Sequence, residues 1–288
     1  MAQAPIVIGI ADQMSDYSRQ ANARNLKIGF VPTMGALHQG HLSLVTEARK
    51  HCDIVVASIF VNPTQFNDPK DFERYPRHIE RDIELLSTAA CDAVFIPESV
   101  EQIYPPDRAA VQVDLGLLGQ VMEGKYRPGH FDGVVNVVSR LFDIVRPHMA
   151  FFGLKDYQQF RVIQYMVQQL QIPVELVGVP TTRNADGLAL SSRNQLLSDQ
   201  ERQQALAIIR CMQQARARAM TSTGAEIKAW VKDYFDQLPE FALEYAEVAH
   251  GQTLAPIEGD LAHESHPVLF IAAKLGKVRL IDNLFLKN

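Results

Sequence analysis

The hydrophobic pattern as far as Pro180 alternates between short apolar runs and longer segments with helical spacing. The clearest run, 54–61, shows almost no polar alternation. A strand that is apolar on both faces belongs inside a parallel sheet covered by helices. The pattern predicts strands before residue 11 and at 27–31, 53–61, 93–96, 149–152 and 174–179, and helices at 11–25, 41–50, 79–89, 133–145 and 156–170. Residues 111–115 alternate in the manner of a further strand.

This repeated order of strand and helix predicts a Rossmann-like, doubly wound parallel sheet. The pattern changes after Pro180, where Ser198 and Glu201 form a capping-box sequence that opens a helix. That helix reaches about residue 220, and the elements after it are a helix at 224–235 and strands at 243–248, 268–273 and 278–285. The sequence therefore predicts an α/β fold with a smaller C-terminal α+β domain. The predicted domains are residues 1–182 and 183–288.

Composition narrows the class of protein without changing this architecture. Of 288 residues, 47% are hydrophobic and 21% are charged, so a substantial core is expected. The net charge of −5, with no long basic run, argues against a nucleic-acid partner. Three widely separated cysteines form neither a disulfide framework nor a zinc pair, and they predict a reducing, cytoplasmic location. No apolar run approaches membrane length, and the run at 6–11 lacks the preceding basic residue of a signal peptide.

The most informative segment for function is the turn after the strand at 27–31. It carries two glycines, Gly35 and Gly40, and it ends in two histidines, His38 and His41, next to a helix start. Such a turn suits an anion, because backbone N–H groups and the helix dipole point toward it. The histidines could instead bind zinc, although no third ligand is close in sequence and the spacing is not HExxH. One of them could also cap the helix.

Other predicted strands are followed by polar side chains as well, and ligands bind at the carboxyl ends of strands in a doubly wound sheet. These residues are Asn62 and Gln65, then Gly153, Lys155, Asp156 and Gln159, then Thr182 and the loop 186–194. Ordinary alternatives exist, since glutamines are often exposed, adjacent opposite charges can pair at the surface, and serine-rich loops can be linkers. Glu123 and Arg127 likewise have the spacing of a helix ion pair.

Six stretches of the chain carry a further signal when taken together. They are Pro32–His41, Ser58–Phe66, Tyr75–Arg77, Arg127–Val134, Phe152–Gln159 and Asp186–Asn194. In this order they resemble the pantoate–β-alanine ligase (pantothenate synthetase) family along nearly the whole length. The His-x-Gly-His element is similar to the HIGH signature of adenylyl-transferring enzymes. The Leu-Ser-Ser-Arg loop takes the place of their KMSKS loop.

The resemblance implies an ATP-dependent ligase that works in two steps. The carboxylate of (R)-pantoate attacks the α-phosphorus of ATP, giving pantoyl adenylate and pyrophosphate. The amine of β-alanine then displaces AMP and gives pantothenate. The resemblance also implies Mg²⁺ with ATP and a homodimer formed through the first domain. Two alternatives stay open: a coenzyme-A-pathway nucleotidyltransferase that leaves AMP on its product, and a nucleotide-binding regulator without activity.

The resemblance also implies roles for individual residues. Four are expected to be catalytic, with the first as the proton donor: His41, His38, Lys155 and Arg193. The residues expected to bind ATP are Met34, Gly35, Ala36, Leu37, His38, Gln39, Gly40, His41, Gly153, Leu154, Lys155, Asp156, Thr182, Leu190, Ser191, Ser192 and Arg193. The residues expected to bind the organic substrates are Gln65, Gln159, Asn62 and Arg127. The metal ligands are unassigned, with Asp82 a guess.

Two positions depart from the family pattern. Leu154 stands where Glu or Gln is usual, and Thr182-Arg183-Asn184 stands where Val or Ile is followed by Arg-Glu. Leu154 is expected to contribute mainly its backbone, whereas Asn184 removes a charge. These changes bear on nucleotide affinity rather than on the class of reaction.

Overall fold

The sheet expected from the apolar runs is present in the computed structural model, which describes residues 4–287. The strands are β1 (Ile6–Ile8), β2 (Ile28–Thr33), β3 (Ile54–Ile59), β4 (Ala93–Phe95), β5 (Met149–Gly153), β6 (Glu175–Val179), β7 (Phe241–His250), β8 (Pro267–Leu275) and β9 (Val278–Phe285). The α-helices are α1 (Ala11–Ala23), α2 (Gln39–His51), α3 (Pro69–Arg74), α4 (Ile79–Thr88), α5 (Met122–Tyr126), α6 (His130–Val145), α7 (Tyr157–Gln169), α8 (Asp199–Arg218) and α9 (Gly224–Asp236). The predicted α/β fold class is confirmed.

Six parallel strands form the larger sheet, in the order β1-β4-β3-β2-β5-β6. From β2 the chain continues to β3 and β4 on one side, and it later places β5 and β6 on the other side. β2 pairs with β3 along its whole length and with β5 at Gly29 and Phe30. The strand order reverses between β2 and β5, so their carboxyl ends form the crevice where doubly wound sheets bind ligands.

The two faces of this sheet join different cores because side chains alternate along each strand. Phe30 of β2 joins a core that includes Met14 of α1 and Phe142 of α6. Its neighbour Val31 joins the opposite core, which includes Leu44 of α2. β3 is buried almost throughout, which explains why its sequence is apolar without alternation.

The chain divides into two compact units. The first holds the chain up to Gly119 with Glu123–Leu154 and Gln159–Pro180, and the second holds Gln120–Met122, Lys155–Gln158 and the chain from Thr181 onward. In the second unit, β7, β8 and β9 form an antiparallel sheet, and α8 and α9 pack on it. The domain boundary predicted from the sequence lies between residues 182 and 183, whereas the last segment of the second unit begins at Thr181. Residues 1–3 and 288 of the predicted domains lie outside the described part of the chain.

The predicted strand at 111–115 is wrong, because this segment has no regular secondary structure. Its side chains Val113 and Leu115 lie against a core of the first unit. The N–H of Val111 donates to the Oδ1 atom of Asn136 in α6 at 3.2 Å. Alternation therefore indicated a half-buried segment correctly, but a strand also needs a backbone partner.

The short helix α3 was missed although its start carries a sequence signal. The side chain of Asp68 accepts the N–H of Lys70, and Pro69 is the first helical residue. Aspartate before a helix and proline at its first position are both favoured. The sequence analysis predicted no element between the strand at 53–61 and the helix at 79–89.

Candidate active site

The turn after β2 is held in shape by side chains from neighbouring elements. Thr33 donates its hydroxyl to the carbonyl of Ser58 in β3 at 2.6 Å and accepts the N–H of Gly35 at 3.1 Å. Gly35 has a φ of 78°. A Cβ atom there would lie 3.0 Å from both a carboxylate oxygen of Asp82 and the Cγ2 atom of Ile59. Glycine is therefore needed at this position for both its backbone conformation and its size.

Asp82 of α4 is the buried carboxylate that supports this turn. Its two oxygens accept the N–H groups of Ala36 and Leu37, each at 2.8 Å. The residue is 1% exposed, and burial raises the pKa of its carboxyl against the opposing effect of the two N–H donors. Ala36 has a φ of 50°, which is unusual for alanine, and the hydrogen bond holds it there. Asp82 therefore does not fit the guess that it binds magnesium.

Replacing Asp82 with asparagine is expected to destabilise the protein by about 2 kcal/mol, because the amide accepts one N–H group and turns a donor toward the other. Urea unfolding followed by circular dichroism measures this change. The control is Glu80→Gln on the exposed side of α4, which is expected to change the free energy of unfolding by less than about 0.5 kcal/mol. Equal stability of the two variants would contradict the role given to Asp82.

His38 and His41 form a reciprocal cap at the start of α2. The Nδ1 atom of His38 accepts the N–H of Gly40 at 3.1 Å, and the Nδ1 atom of His41 accepts the N–H of His38 at 3.3 Å. The ring centroids are 4.1 Å apart. A ring nitrogen that accepts an N–H carries no hydrogen, so the hydrogen of each neutral imidazole is on Nε2. Both rings therefore have Nε2–H as their donor group.

The capping arrangement changes how this turn can bind a phosphate. The sequence suggested that backbone N–H groups near Gly35 and at the helix start receive the anion. In the structure, the N–H groups that already donate to side chains include those of Ala36, Leu37, His38 and Gly40. The sequence alternative assigned a capping role to one histidine, and in the structure both rings cap the helix. The positive end of the helix dipole also lies at this turn and favours an anion there.

The polar residues after β3 form a buried hydrogen-bond network around Asn62, which is 0% exposed. Its Oδ1 atom accepts the hydroxyl groups of Thr64 and Tyr104, each at 2.9 Å. Its Nδ2 atom donates to the carbonyl of Gly133 in α6 and to Oε1 of Gln65, each at 3.1 Å. Because both ends of the Asn62 amide are engaged, the orientation of the Gln65 amide is fixed with it.

Gln65 links this network to the turn after β2. Its Nε2 atom lies 3.1 Å from the sulfur of Met34, and its main-chain carbonyl lies 2.8 Å from Nδ1 of His130. Arg127 donates to the same carbonyl at 3.4 Å and pairs with Glu123. The structure thus brings together four of the expected site residues, which are Met34, Asn62, Gln65 and Arg127.

The end of β5 supplies further expected site residues in the first unit, beginning with Gly153. The half-buried side chain of Gln159 in α7 makes no hydrogen bond to another residue within 4–287, so its amide is available to a ligand. Leu154 packs on Gly178 of β6, where a Cβ atom would lie 2.6 Å from its Cδ2. Leu154, which the sequence analysis marked as a departure from the expected Glu or Gln, therefore makes an apolar contact in the structure.

Lys155 and Asp156 belong to the second unit. The carbonyl of Lys155 accepts the side-chain N–H of Asn283 in β9 at 2.8 Å. Its Nζ atom is 3.7 Å from Oδ1 of Asp156, and the lysine side chain is 17% exposed. The next residue, Tyr157, donates its hydroxyl to the carbonyl of Gly251 at 2.9 Å. The backbone here is fixed on both sides, which limits where the lysine stem can reach.

Residues 182–190 fold back on themselves in the second unit. The N–H of Leu190 donates to the carbonyl of Thr182 at 3.0 Å, and the N–H of Asn184 donates to the carbonyl of Leu188 at 2.9 Å. The Nδ2 atom of Asn184 is buried and has no hydrogen-bond partner in the described part of the chain. The side chain of Asn184, marked in the sequence as a departure from an expected glutamate, therefore carries a buried unsatisfied donor.

The loop that continues to residue 194 is also ordered by its own side chains. The hydroxyl of Ser191 accepts the N–H of Arg193 at 3.3 Å and caps a short 3₁₀ helix, Ser192–Leu196. The Nδ2 atom of Asn194 donates to the carbonyl of Ala189 at 2.9 Å. The motif is therefore a built turn rather than a plain linker, and its expected closing movement stays a prediction.

Arg183 attaches this hairpin to β9 through a bidentate ion pair with Asp282, at 2.6 and 2.8 Å. The Asp282 side chain is 5% exposed, so loss of its charge leaves the positive charge of the guanidinium without its buried counterion.

Asp282→Asn is expected to destabilise the protein by about 2 kcal/mol in urea unfolding. The exposed pair Lys232–Asp236 provides the control, because Asp236→Asn is expected to cost less than about 0.5 kcal/mol. Equal effects would show that the Arg183 pair stabilises no more than a surface pair.

Comparison with known proteins identifies the family of this chain. The model of a family described as pantoate–β-alanine ligase matches residues 7–285. The chain belongs to this family. The predictions of family and of ligase activity are confirmed.

Relatives of this ligase family cover nearly the whole chain. The pantothenate synthetase of Porphyromonas gingivalis is 48% identical over 271 residues, which cover 94% of this chain and 95% of the relative. The crystal structure of pantothenate synthetase from Thermus thermophilus has a TM-score of 0.90 and 41% identity, and it covers 98% of this chain and 100% of that chain. The pantoate–β-alanine ligase from Francisella tularensis, crystallised with "Beta-gamma ATP and Beta-alanine", has a TM-score of 0.80 and 34% identity over 98% of both chains.

Two residues of the network in this ligase had no predicted role, His130 and Tyr104. His130 lies inside a stretch that carries the family resemblance, so the motif was visible while the use of its ring was not. Tyr104 is separated from Asn62 by 42 positions, and only the fold brings its hydroxyl to the Asn62 amide. No local pattern in the sequence could have identified that contact.

The titratable groups in the described part of the chain give no sign of a metal or thiol site. Among residues 4–287, no three His, Cys, Asp or Glu side chains are grouped to hold a metal ion. The zinc alternative for His38 and His41 therefore gains no support. Burial raises the pKa of Cys91 and of Cys211 to about 12, so neither thiol is ionised near neutral pH.

Proposed function

We propose that this ligase joins (R)-pantoate to β-alanine by way of an acyl adenylate made from ATP. The observation that supports this most is the position of the His38–His41 pair at the switch point of the sheet, with both Nε2–H groups as donors. A nucleotide in the Francisella relative, at 34% identity, supports ATP as the second substrate. Pantoate follows from the family to which the chain belongs.

In the first step, a carboxylate oxygen of pantoate attacks the α-phosphorus of ATP. The new O–P bond forms as the bond to the bridging oxygen breaks, and pyrophosphate leaves. Because both reactants are anions, the step needs donors and cations around the phosphates. We assign this task to Nε2–H of His41 and His38 and to the charges of Lys155 and Arg193. His41 supplies the hydrogen bond or proton that stabilises the leaving charge.

The other ATP contacts proposed here follow the order of the fold. Met34, Gly35, Ala36, Leu37, Gln39 and Gly40 line the adenosine and phosphate side of the β2 turn. At the end of β5, the proposed ATP contacts are Gly153 and Leu154. In the second unit they are Asp156, Thr182, Leu190, Ser191 and Ser192. Ala36 and Leu37 are proposed to contact ATP by van der Waals packing alone, because their N–H groups donate to Asp82.

Pantoate is assigned to the amides of Gln65 and Gln159, which can donate to its carboxylate and accept from its hydroxyl groups. Arg127 is proposed as a charged neighbour of that site. Asn62 is fully buried and its amide is fully engaged, so we propose that it acts by orienting Gln65. In the second step, the amine of β-alanine attacks the acyl carbon, the C–O bond to AMP breaks, and the amine loses a proton.

Several finer properties belong to the same proposal. Magnesium is proposed to arrive with ATP, held mainly by phosphate oxygens and water, because Asp82 is committed to the turn. A homodimer formed through the first unit and a cytoplasmic location are proposed from the family and the cysteine usage. No helix within residues 4–287 is both long and apolar enough to cross a membrane.

The test is to incubate the protein with ATP, magnesium, pantoate and β-alanine and to follow AMP and pyrophosphate. Pyrophosphate release is expected to need pantoate, and AMP release is expected to need both organic substrates. A stable adenylylated product that persists after β-alanine is added would favour the nucleotidyltransferase alternative. Nucleotide binding without either release would favour a regulator.

A further inference from the structure

His130 lies at the N-terminus of α6, and it is 6% exposed. Its Nδ1 atom is 2.8 Å from the main-chain carbonyl of Gln65, and its Nε2 atom is 3.2 Å from a guanidinium nitrogen of Arg127. The two partners are separated from each other by 62 positions in the sequence. The ring therefore bridges two elements that converge on the proposed pantoate site.

These partners determine which tautomer of His130 is present. The guanidinium group has only donors, so Nε2 must accept. The carbonyl oxygen of Gln65 has only lone pairs, so Nδ1 must carry the hydrogen and donate. Both requirements are met by a single neutral form, the Nδ1–H tautomer. In this hydrogen bond Nδ1–H of His130 is always the donor to the Gln65 carbonyl, because the Arg127 donor at Nε2 favours that tautomer.

The surroundings make the Gln65 backbone sensitive to this bond. Gln65 ends a 3₁₀ helix of one turn, Pro63–Gln65, which has few hydrogen bonds of its own. On the other side, Gly133 packs so closely that a Cβ atom would lie 2.5 Å from the carbonyl oxygen of Thr64. The start of α6 therefore holds this turn at two successive residues. Gly133 packs closely against Thr64, and His130 forms a hydrogen bond to Gln65.

We propose that His130 is a positioning residue for pantoate binding, acting through the main chain of Gln65. Its Nδ1–H fixes the Gln65 carbonyl, and Asn62 and Met34 then fix the Gln65 amide. His130 itself need not touch any substrate. The proposal rests on the proposed function of Gln65 as a pantoate ligand.

The matched variants are His130→Leu and His130→Asn, because leucine and asparagine have nearly the same shape and differ in the amide. The Nδ2 group of asparagine occupies the place of Nδ1 and can donate to the Gln65 carbonyl. His130→Leu is expected to raise the KM for pantoate about tenfold, with the KM for ATP changed less than about twofold. His130→Asn is expected to recover most of the pantoate KM. Thermal unfolding of both proteins checks that they remain folded.

Three results would overturn the positioning role. They are an unchanged pantoate KM in His130→Leu, no recovery in His130→Asn, or an equal rise in the KM for pantoate and for ATP. If the leucine variant does not fold, the asparagine variant alone decides, because a pantoate KM more than about tenfold above the parent protein's rejects the proposal.

Gln65→Ala separates this proposal from the function on which it rests. A pantoate KM unaffected by Gln65→Ala would reject the assignment of Gln65, and with it the reason for positioning it. A raised KM in Gln65→Ala together with a parental KM in His130→Leu would reject only the role of His130.

Discussion

Replacing His41 with asparagine is expected to slow adenylate formation about 100- to 1,000-fold while α2 stays capped. Asparagine Oδ1 takes the place of Nδ1 and can still accept the N–H of His38, which lies at 3.3 Å in the structure. Its side chain ends before the position of Nε2, so the donor to the phosphates is lost. Pantoate-dependent exchange of labelled pyrophosphate into ATP measures this step without β-alanine.

His41→Gln provides the comparison. The glutamine amide reaches the position of Nε2 and keeps a donor there, and a glutamine at this third helical position can also cap the His38 N–H, as Glu201 caps that of Ser198. We therefore expect this variant to be about as stable as His41→Asn but more active. An asparagine variant with the parental exchange rate would show that His41 acts only as a cap.

The sequence was sufficient for the features that depend on local chemistry. The apolar run that became β3 predicted a strand buried within a parallel sheet, because few other environments cover both faces of a strand. Ser198 and Glu201 predicted their helix start because a capping box is complete within four residues. The turn from Gly35 to His41 was also predicted from sequence because its glycines and histidines lie within seven consecutive residues.

The supporting contacts were beyond prediction because they join distant parts of the chain. Asp82 reaches the turn from 46 positions away, and His130 reaches Gln65 from 65 positions away. Neither residue type signals such a bond, since an aspartate in a helix and a histidine after a glycine are ordinary at a surface. Asp82 was only a guess as a metal ligand, whereas the fold uses its carboxylate to accept two N–H groups.

The departures from the family pattern also differ in physical terms. Leu154 packs on Gly178 of β6, so an apolar side chain is accommodated at this position. Asn184 leaves its Nδ2 atom buried without a hydrogen bond to any residue within 4–287. An altered nucleotide affinity is therefore more readily attributed to residue 184 than to residue 154.

Replacing Lys155 with methionine is expected to lower kcat about 100-fold or more, which corresponds to about 2.7 kcal/mol of lost transition-state stabilisation. Methionine keeps most of the apolar stem but removes the ammonium that is proposed to offset two approaching anions. The lysine backbone is tied to Asn283, so neighbouring residues have little freedom to supply a substitute. The control is Lys232→Met, an exposed lysine of the same unit, for which a parental kcat is expected.

The double variant Lys155→Met/Arg193→Met decides whether the two cations stabilise the same charge. Groups that act on one transition state as a unit are strongly non-additive, so the double variant is then expected to lose much less than the product of the two single losses. Additive losses would mean that the two cations act at different steps or on different phosphates. Pyrophosphate exchange isolates the first step, so a loss seen only in AMP release would assign that cation to the attack by β-alanine.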